Sequence, residues 1–328
     1  MPRLAALALT LAIWTTSAMA FEPLGRTSWL PGVNLAGGEF NGARSRLSFD
    51  YTYPTEAEID YFTSKGFRLF RIPFLGKRVL AQGTGTAQDL AILTRLVRYA
   101  ADKNAMVVLD LHQYGSVEAG LVGRNPAATQ EFAEIWRRLA AHFREAPNVL
   151  FGLMNEPHQQ TAQEWLVGAN AAIATIRVSG AKQLILVPGS HWDGAHSWVS
   201  SGNAATMLSV IDPVNNYAYE VHQYLDSDNS GTHPEVIRGA GSTRLVQFTD
   251  WARQHGKKGF LGEFGWADNS GGHTEGANLV GYMSANRDVW LGWAYWAAGP
   301  WWGEYMYTLE PKDGSDRPQM QVLLRHIR

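Results

Sequence analysis

Two glutamates stand where apolar runs of strand length end. One is Glu156, in Phe151-Gly152-Leu153-Met154-Asn155-Glu156-Pro157; the other is Glu263, in Gly259-Phe260-Leu261-Gly262-Glu263-Phe264-Gly265-Trp266. Leu153 and Met154 require burial, whereas a carboxylate is rarely buried unpaired, so each glutamate marks the point where a strand leaves the core. Two such carboxylates brought face to face suit cleavage of a glycosidic bond: one protonates the leaving oxygen while the other attacks the anomeric carbon or activates water. Arg71, at the end of another apolar run, supplies a positive charge that would hold one carboxylate ionised, while a partly desolvated glutamate is raised into the acid role. Neighbouring strand side chains point to opposite faces, so Asn155 and Glu156 serve one site only if pairing breaks between them. Pro157 favours that break, since it cannot donate to a ladder, and it is expected to restrict Glu156 to extended backbone.

The elements that must position these groups alternate along the chain. Strand-like runs fall at 32–37, 68–74, 105–112, 151–156, 184–189, 217–224, 259–263 and 290–296. Helical spacing of apolar residues separates them, at Ile59 and Phe62, at Leu90, Leu93, Val97 and Ala100, at Phe132 to Phe143, at Trp165 to Ile176, around 207–210, at Leu245 to Trp251 and around 277–283. A last helical segment covers 320–327. Thr55 and Glu58 form a capping-box pattern and Gly66 a stop for the first helix. Eight strands alternating with helices, several of them apolar on both faces, predict an α/β protein with a parallel (β/α)8 barrel rather than an open doubly wound sheet. In such a barrel the carboxyl ends of the strands converge on one face. Here those ends carry Arg71, His112, Asn155, Glu156, His222, Tyr224, Glu263 and Trp296.

Composition narrows the alternatives. Residues 1–20 combine Arg3, an apolar stretch and Ala18-Met19-Ala20, which is the pattern of a secretory signal peptide. The exported chain would begin near Phe21, with 21–328 forming one catalytic domain. No later stretch is long and apolar enough to span a membrane. Without Arg3 there remain 27 basic against 30 acidic residues, a balance that gives no reason to expect nucleic acid or an anionic membrane as partner. The absence of cysteine excludes disulfides, thiol nucleophiles and cysteine metal sites. Of the 13 tryptophans, those on loops at the carboxyl face can stack on sugar rings, and Trp192 and Trp302 are the foremost candidates. Core packing is nonetheless the default reading for Trp29, Trp192, Trp198, Trp266, Trp301 and Trp302. His196 and Asp226 are candidates for distal sugar contacts.

With those residues in place, the mature chain resembles glycoside hydrolase family 5, among the retaining glycosidases of clan A. All eight active-site positions of that family are matched. By this resemblance Asn155-Glu156-Pro157 supplies the acid/base Glu156, and Glu263-Phe264-Gly265 the nucleophile Glu263. Arg71 would lie against the nucleophile, His112 beside the first sugar, and Asn155 on its 2-hydroxyl. His222 and Tyr224 would orient the two glutamates, and Trp296 would floor the subsite before the cleaved bond. Gly32-Val33-Asn34-Leu35-Ala36-Gly37, Gly194-Ala195-His196-Ser197-Trp198, His222-Gln223-Tyr224-Leu225-Asp226-Ser227-Asp228 and Gly299-Pro300-Trp301-Trp302-Gly303 are similar to secreted endo-β-1,4-glucanases of fungi and bacteria. One departure follows Phe74, where Leu75-Gly76-Lys77 replaces an aromatic and an acid common in relatives. The resemblance implies a monomeric secreted enzyme acting on a β-glucan polysaccharide by double displacement, with no metal or organic cofactor and carboxyl groups about 5 to 5.5 Å apart.

Rival readings differ in what they require. A β-mannanase would share the mechanism and differ only in sugar-facing loops. A barrel metallohydrolase would use Asp110 with His112 and Glu220 with His222, each pair two residues apart and so able to share a face, but the first strand lacks a histidine pair. A non-catalytic carbohydrate-binding protein would need aromatics and hydrogen bonds, not an acid and a nucleophile.

Overall fold

A computed structural model describes residues 29–80 and 87–328. The expected signal peptide lies outside the described residues. Eight parallel strands close into a barrel in sequence order, the last pairing with the first. They are β1 (Leu30–Leu35), β2 (Leu69–Phe74), β3 (Met106–Leu111), β4 (Val149–Gly152), β5 (Ile185–Pro188), β6 (Tyr217–His222), β7 (Gly259–Glu263) and β8 (Trp290–Ala298). The surrounding helices include α1 (Glu56–Ser64), α2 (Ala87–Asp102), α3 (Pro126–Phe143), α4 (Ala162–Val178), α5 (Asn203–Thr206), α6 (Val246–Gln254), α7 (Ser270–Ala285) and α8 (Pro318–Leu323), with short helical turns at Gly76–Leu80 and Ala240–Thr243. The predicted (β/α)8 barrel is therefore the observed one. Among the described residues no helix is long and apolar enough to cross a membrane.

Local chemistry accounts for the helix boundaries. Thr55 and Glu58 close the expected capping box on α1, and Gly66 at φ +98° accommodates the left-handed turn that follows. A second box, Thr161 with Glu164, opens α4, and Asn125 followed by Pro126 opens α3. The weak pattern near 207–210 corresponds to α5 followed by a 3-10 turn at Met207–Ser209.

Burial explains why the strands read as unbroken apolar runs. Outer strand faces pack on the helices in one large core, through residues such as Val33, Phe70, Val107, Phe151 and Leu261. Inner faces hold a separate apolar plug, including Leu30, Leu69, Met106, Val108, Leu150, Leu186, Ala218, Phe260 and Ala294. One inward step further along three of the strands the residue becomes charged, because Leu69 is followed by Arg71, Val108 by Asp110 and Ala218 by Glu220. The barrel is apolar at its amino end and charged at its carboxyl end.

Two irregularities aim the glutamates. β4 ends at Gly152, four residues before Glu156. The Phe151 and Leu153 amides both donate toward β5, to Leu184 and Leu186, whereas the Asn155 amide donates to Leu111 of β3 at 2.8 Å. Alternate residues of a strand should keep the same neighbour, so the chain slips phase at Met154. Glu156 then adopts φ +44°, which corrects the expectation of extended backbone before Pro157. The Trp192 amide bond to the Pro157 carbonyl and the Glu156 contact with His222 hold this turn. On β7 the pairing to β6 shifts so that His222 faces Glu263 and Gly262 is left over. Such a bulge re-aims the following side chain.

Candidate active site

Arg71 is fully buried at the centre of the charged end. Its Nε donates to Glu220 Oε1 at 2.8 Å, Nη1 to Asn34 Oδ1 and Glu263 Oε1 at 2.9 Å each, and Nη2 to Asn155 Oδ1 at 2.9 Å. Asp110 Oδ2 lies 3.0 Å from Nη1. The planar guanidinium suits this task because its donors are fixed in direction. Asn34 Nδ2 in turn donates to the carbonyls of Gly262 at 2.9 Å and Ala294 at 3.1 Å, tying the cluster to β7 and β8.

Glu156 and Glu263 meet across His222. His222 Nδ1 is 2.8 Å from Glu156 Oε1 and 3.7 Å from Glu263 Oε2, so the sum of those distances, 6.5 Å, caps the separation of the two oxygens. That ceiling sits at the lower edge of the roughly 6.5–9.5 Å range that leaves room for an inverting enzyme's water, and it accommodates the about 5–5.5 Å of a retaining pair. Tyr224 Oη donates to Glu263 Oε2 at 3.1 Å. The two glutamates thus receive different partners: an imidazole on Glu156, and a guanidinium and a phenol on Glu263.

Electrostatics follow from burial. Burial raises the Glu263 carboxyl above its ordinary value, against the pull of His222 and Arg71. Arg71 therefore favours ionised Glu263, as expected, without offsetting the loss of water. Burial opposes a charged His222, but Asp193 and Glu263 outweigh it and raise the imidazole well above its usual range. Burial likewise disfavours ionised Asp110, yet Arg71 and His112 bring its carboxyl below the usual value. The Tyr224 phenol is raised well above its ordinary value by burial and then by Glu263, so it remains a donor.

The structure brings the remaining candidates together unevenly. His112 Nδ1 bonds Asp110 Oδ2 at 2.7 Å, and its ring stacks on Trp296 with centroids 5.6 Å apart. Trp302 meets Trp296 edge to face at 5.5 Å and donates to the Ala36 carbonyl at 3.3 Å. Trp192 is half exposed on the loop after β5 and stacks on His158 at 3.6 Å, with Tyr114 at 6.1 Å. His196 is held by Gln223, whose Oε1 lies 3.2 Å from its Nδ1. Asp226 corrects the expectation of a sugar contact: it is fully buried, and its oxygens accept the amides of Gly231, Thr232 and His233 and the Ser230 hydroxyl. It organises its own loop. Trp198 and Trp266 are core residues as expected, whereas Trp301 is exposed.

The pairs considered for metal do share a face, but their charges are committed elsewhere. Asp110 and Glu220 both pair with Arg71, and His112 pairs with Asp110. Asn34, Glu39, Tyr114 and Asp193 are site residues the sequence reading passed over, and Glu220 was weighed there only as a metal ligand. Glu39 Oε2 accepts the Gly37 amide at 2.7 Å and its carboxyl feels His112. Tyr114 Oη lies 3.3 Å from His112 Nε2. The two-residue spacing from His222 did place Glu220 on the site's face; Asp193 had no such signal, because it sits in a loop.

Paired carboxylates facing each other over the carboxyl-terminal rim of a closed barrel define a glycoside hydrolase of the barrel class. The chain belongs to the cellulase family, glycosyl hydrolase family 5, whose profile matches residues 32–299. It is 38% identical to Endoglucanase gh5-1 of Neurospora crassa over 310 residues, covering 92% of this chain and 77% of that protein. It is 36% identical to Endo-beta-1,4-glucanase B of Aspergillus niger over 290 residues, covering 87% of this chain and 86% of that one. Among solved structures, XacCel5A in complex with cellopentaose superposes with a TM-score of 0.88 at 41% identity, over 92% of this chain and 99% of that chain. The endo-beta-1,4-glucanase Xac0029 from Xanthomonas axonopodis pv. citri gives 0.87 at 41% identity, over 92% and 98%.

Proposed function

We propose that this chain is a secreted, monomeric, retaining endo-β-1,4-glucanase acting on cellulose or related β-glucans, with Glu263 as nucleophile and Glu156 as acid/base. The observation that carries the assignment is the unequal surroundings of two carboxylates held within reach of one imidazole. Glu263, with Arg71 and Tyr224 on its oxygens, is equipped to carry negative charge and attack the anomeric carbon. Glu156 is on the open side of the pair, with its side chain 16% exposed, and gives its proton to the leaving oxygen. After the glycosyl-enzyme forms, Glu156 takes a proton from water, and the second displacement restores Glu263 with retention at the anomeric carbon. Trp296, backed by His112 and Trp302, offers an apolar face for a sugar ring, and Asn155 has an amide nitrogen left to donate to a hydroxyl. The names of the relatives, an endo-beta-1,4-glucanase and an endoglucanase, support the β-1,4-glucan assignment.

Residues 1–20 act as a signal peptide in this reading and 21–328 as the catalytic domain, so the exported chain should begin at Phe21 on N-terminal sequencing. The decisive experiment compares the wild type with Glu156→Gln and Glu263→Gln on carboxymethylcellulose, mixed-linkage glucan and mannan. Reducing ends, viscosity and the anomeric form of the first product are followed. Expected are a rapid viscosity loss, a β-anomer product on the glucans and near-complete loss of activity in both variants. Full activity in either variant removes that glutamate from its role, an α-anomer rejects retention, and preference for mannan makes the chain a mannanase.

A further inference from the structure

Asp193 is fully buried in the loop after β5, and neither of its carboxylate oxygens has a hydrogen-bond partner among the described residues. A carboxylate is costly to bury in that condition. The backbone goes to unusual lengths to put it there. His191, Trp192 and Asp193 are three consecutive non-glycine residues at φ +58°, +58° and +42°. Left-handed backbone at a non-glycine residue costs on the order of 1 kcal/mol or more and persists only where surrounding structure enforces it. Here the Trp192 amide donates to the Pro157 carbonyl at 3.1 Å, the Asp193 amide to Ser190 at 3.2 Å, and the His222 amide to the Asp193 carbonyl at 3.1 Å. The same turn thus touches the residue after Glu156 and the strand that carries His222.

Its side chain reaches the atom that governs Glu156. Asp193 Oδ1 is 3.5 Å from His222 Nδ1, the nitrogen already 2.8 Å from Glu156 Oε1. With carboxylate oxygens of Glu156, Asp193 and Glu263 all within 3.7 Å, Nδ1 must carry hydrogen. One N–H facing three acceptors cannot serve all fully, and after Glu156 the nearest is Asp193, which unlike Glu263 has no other donor among the described residues. When Glu156 is a carboxylate it is the stronger and nearer acceptor; when Glu156 holds its proton, it is a poor one.

We propose that Asp193 is a positioning residue for proton transfer at Glu156, acting as the alternative acceptor for the His222 Nδ1–H while Glu156 is protonated. When the Glu156 proton passes to the leaving oxygen, the His222 N–H turns to the new carboxylate. When Glu156 takes a proton back from water, the N–H returns to Asp193. The Nδ1–H bond stays intact throughout, and the only proton transferred is the one on Glu156. The charged groups facing Asp193 are Glu156 after β4, Glu220 and His222 on β6, Glu263 on β7 and Arg71 on β2. Burial raises the Asp193 carboxyl well above its ordinary value, and the His222 imidazolium pulls it the other way.

The proposal rests on the double-displacement reading, and its test separates the two. Aryl β-cellobiosides with a poor leaving group (phenyl) and a good one (2,4-dinitrophenyl) are compared in the wild type, Asp193→Asn and Asp193→Ala. Without the alternative acceptor, the His222 N–H stays on Glu156 and favours its carboxylate, so Glu156 surrenders its proton too readily. The alkaline limb of kcat/KM for the phenyl substrate should therefore move acid-ward by about one pH unit in Asp193→Ala, and less in Asp193→Asn, which keeps an acceptor oxygen. At neutral pH kcat/KM for the phenyl substrate should fall by about tenfold or more, while the dinitrophenyl substrate, whose departure needs no proton, stays within a few fold. Equal losses on both substrates, or an alkaline limb that stays in place in both variants, overturn the proposal. Asp193→Asn has nearly the same shape and carries the test if Asp193→Ala does not fold. Wild-type inactivity on both cellobiosides, or full phenyl-cellobioside activity in Glu156→Gln, would instead remove the underlying reading.

Discussion

Arg71 contacts three carboxylates and two asparagine side chains from five different strands or strand ends, so it is at once a structural bolt and part of the site. Removing one partner from such a buried cluster leaves uncompensated charge, at a cost of about 3–5 kcal/mol. Tyr224 is a cleaner probe, because the phenol touches Glu263 without anchoring the barrel. A hydrogen bond to a charged group is worth about 1.5–3 kcal/mol, so Tyr224→Phe should lower kcat/KM by roughly 10- to 100-fold. The pH profile should move with it. Burial already places the Glu263 carboxyl above its ordinary value, and the nucleophile works only when ionised. Loss of a donor to the carboxylate raises it further, so the acid limb of kcat/KM should shift to higher pH in Tyr224→Phe. An unmoved acid limb would mean that this limb reports another group.

At the scale of elements, both glutamates depend on departures from regular strand geometry. The phase slip at Met154 lets Asn155 reach Arg71 and turns Glu156 toward His222, and two helices support the freed strand ends. Trp136 of α3 donates to the Leu153 carbonyl at 3.0 Å and Trp165 of α4 to the Pro188 carbonyl at 2.7 Å. On β7 the surplus residue is Gly262, where a Cβ would overlap Glu220 Oε1. Gly262→Ala should therefore push Glu220 off Arg71, displace the guanidinium from Glu263 and cut kcat/KM by at least tenfold, with a thermal midpoint several degrees lower. Near wild-type kinetics in that variant would show that Glu220 can move aside without disturbing the nucleophile.

Across the whole molecule, ionisable groups divide by location. On the helical exterior, Arg124 and the Thr161 backbone hold Glu164 at about 2, and Arg137 and Arg138 hold Glu134 at about 2, each from an ordinary 4.5. A carboxyl depressed on folding contributes stability above its unfolded value and loses it as pH falls through the folded one. Glu263 and Asp193, raised by burial, act in the opposite sense. The exposed pairs should make the urea midpoint decline on acidification from about pH 4.5 toward pH 2, and Glu164→Gln should flatten part of that slope while keeping the α4 cap. An identical slope in the variant would exclude Glu164 as a contributor.

Much of this was legible in the linear chain because it rests on local rules. Apolar runs and helical spacing marked the eight strands and their helices, Thr55 with Glu58 marked a helix start, and carboxylates ending apolar runs marked Glu156 and Glu263. Elsewhere the local signal was absent or misleading. Glu156 reads as extended before Pro157 but is left-handed, since bonds from Trp192 and His222 outweigh the local preference. Asp226 reads as an exposed loop acid but is buried by its own loop's amides. Asp193 sits 37 residues from Glu156 in a segment without periodicity, and only barrel closure sets it beside His222. The sequence by itself determined which residues lie at strand ends, since burial of apolar faces is decided by spacing. Tertiary structure alone decided which of those ends share a proton, because hydrogen bonds of 3 Å depend on register slips and loop turns that residue types do not encode.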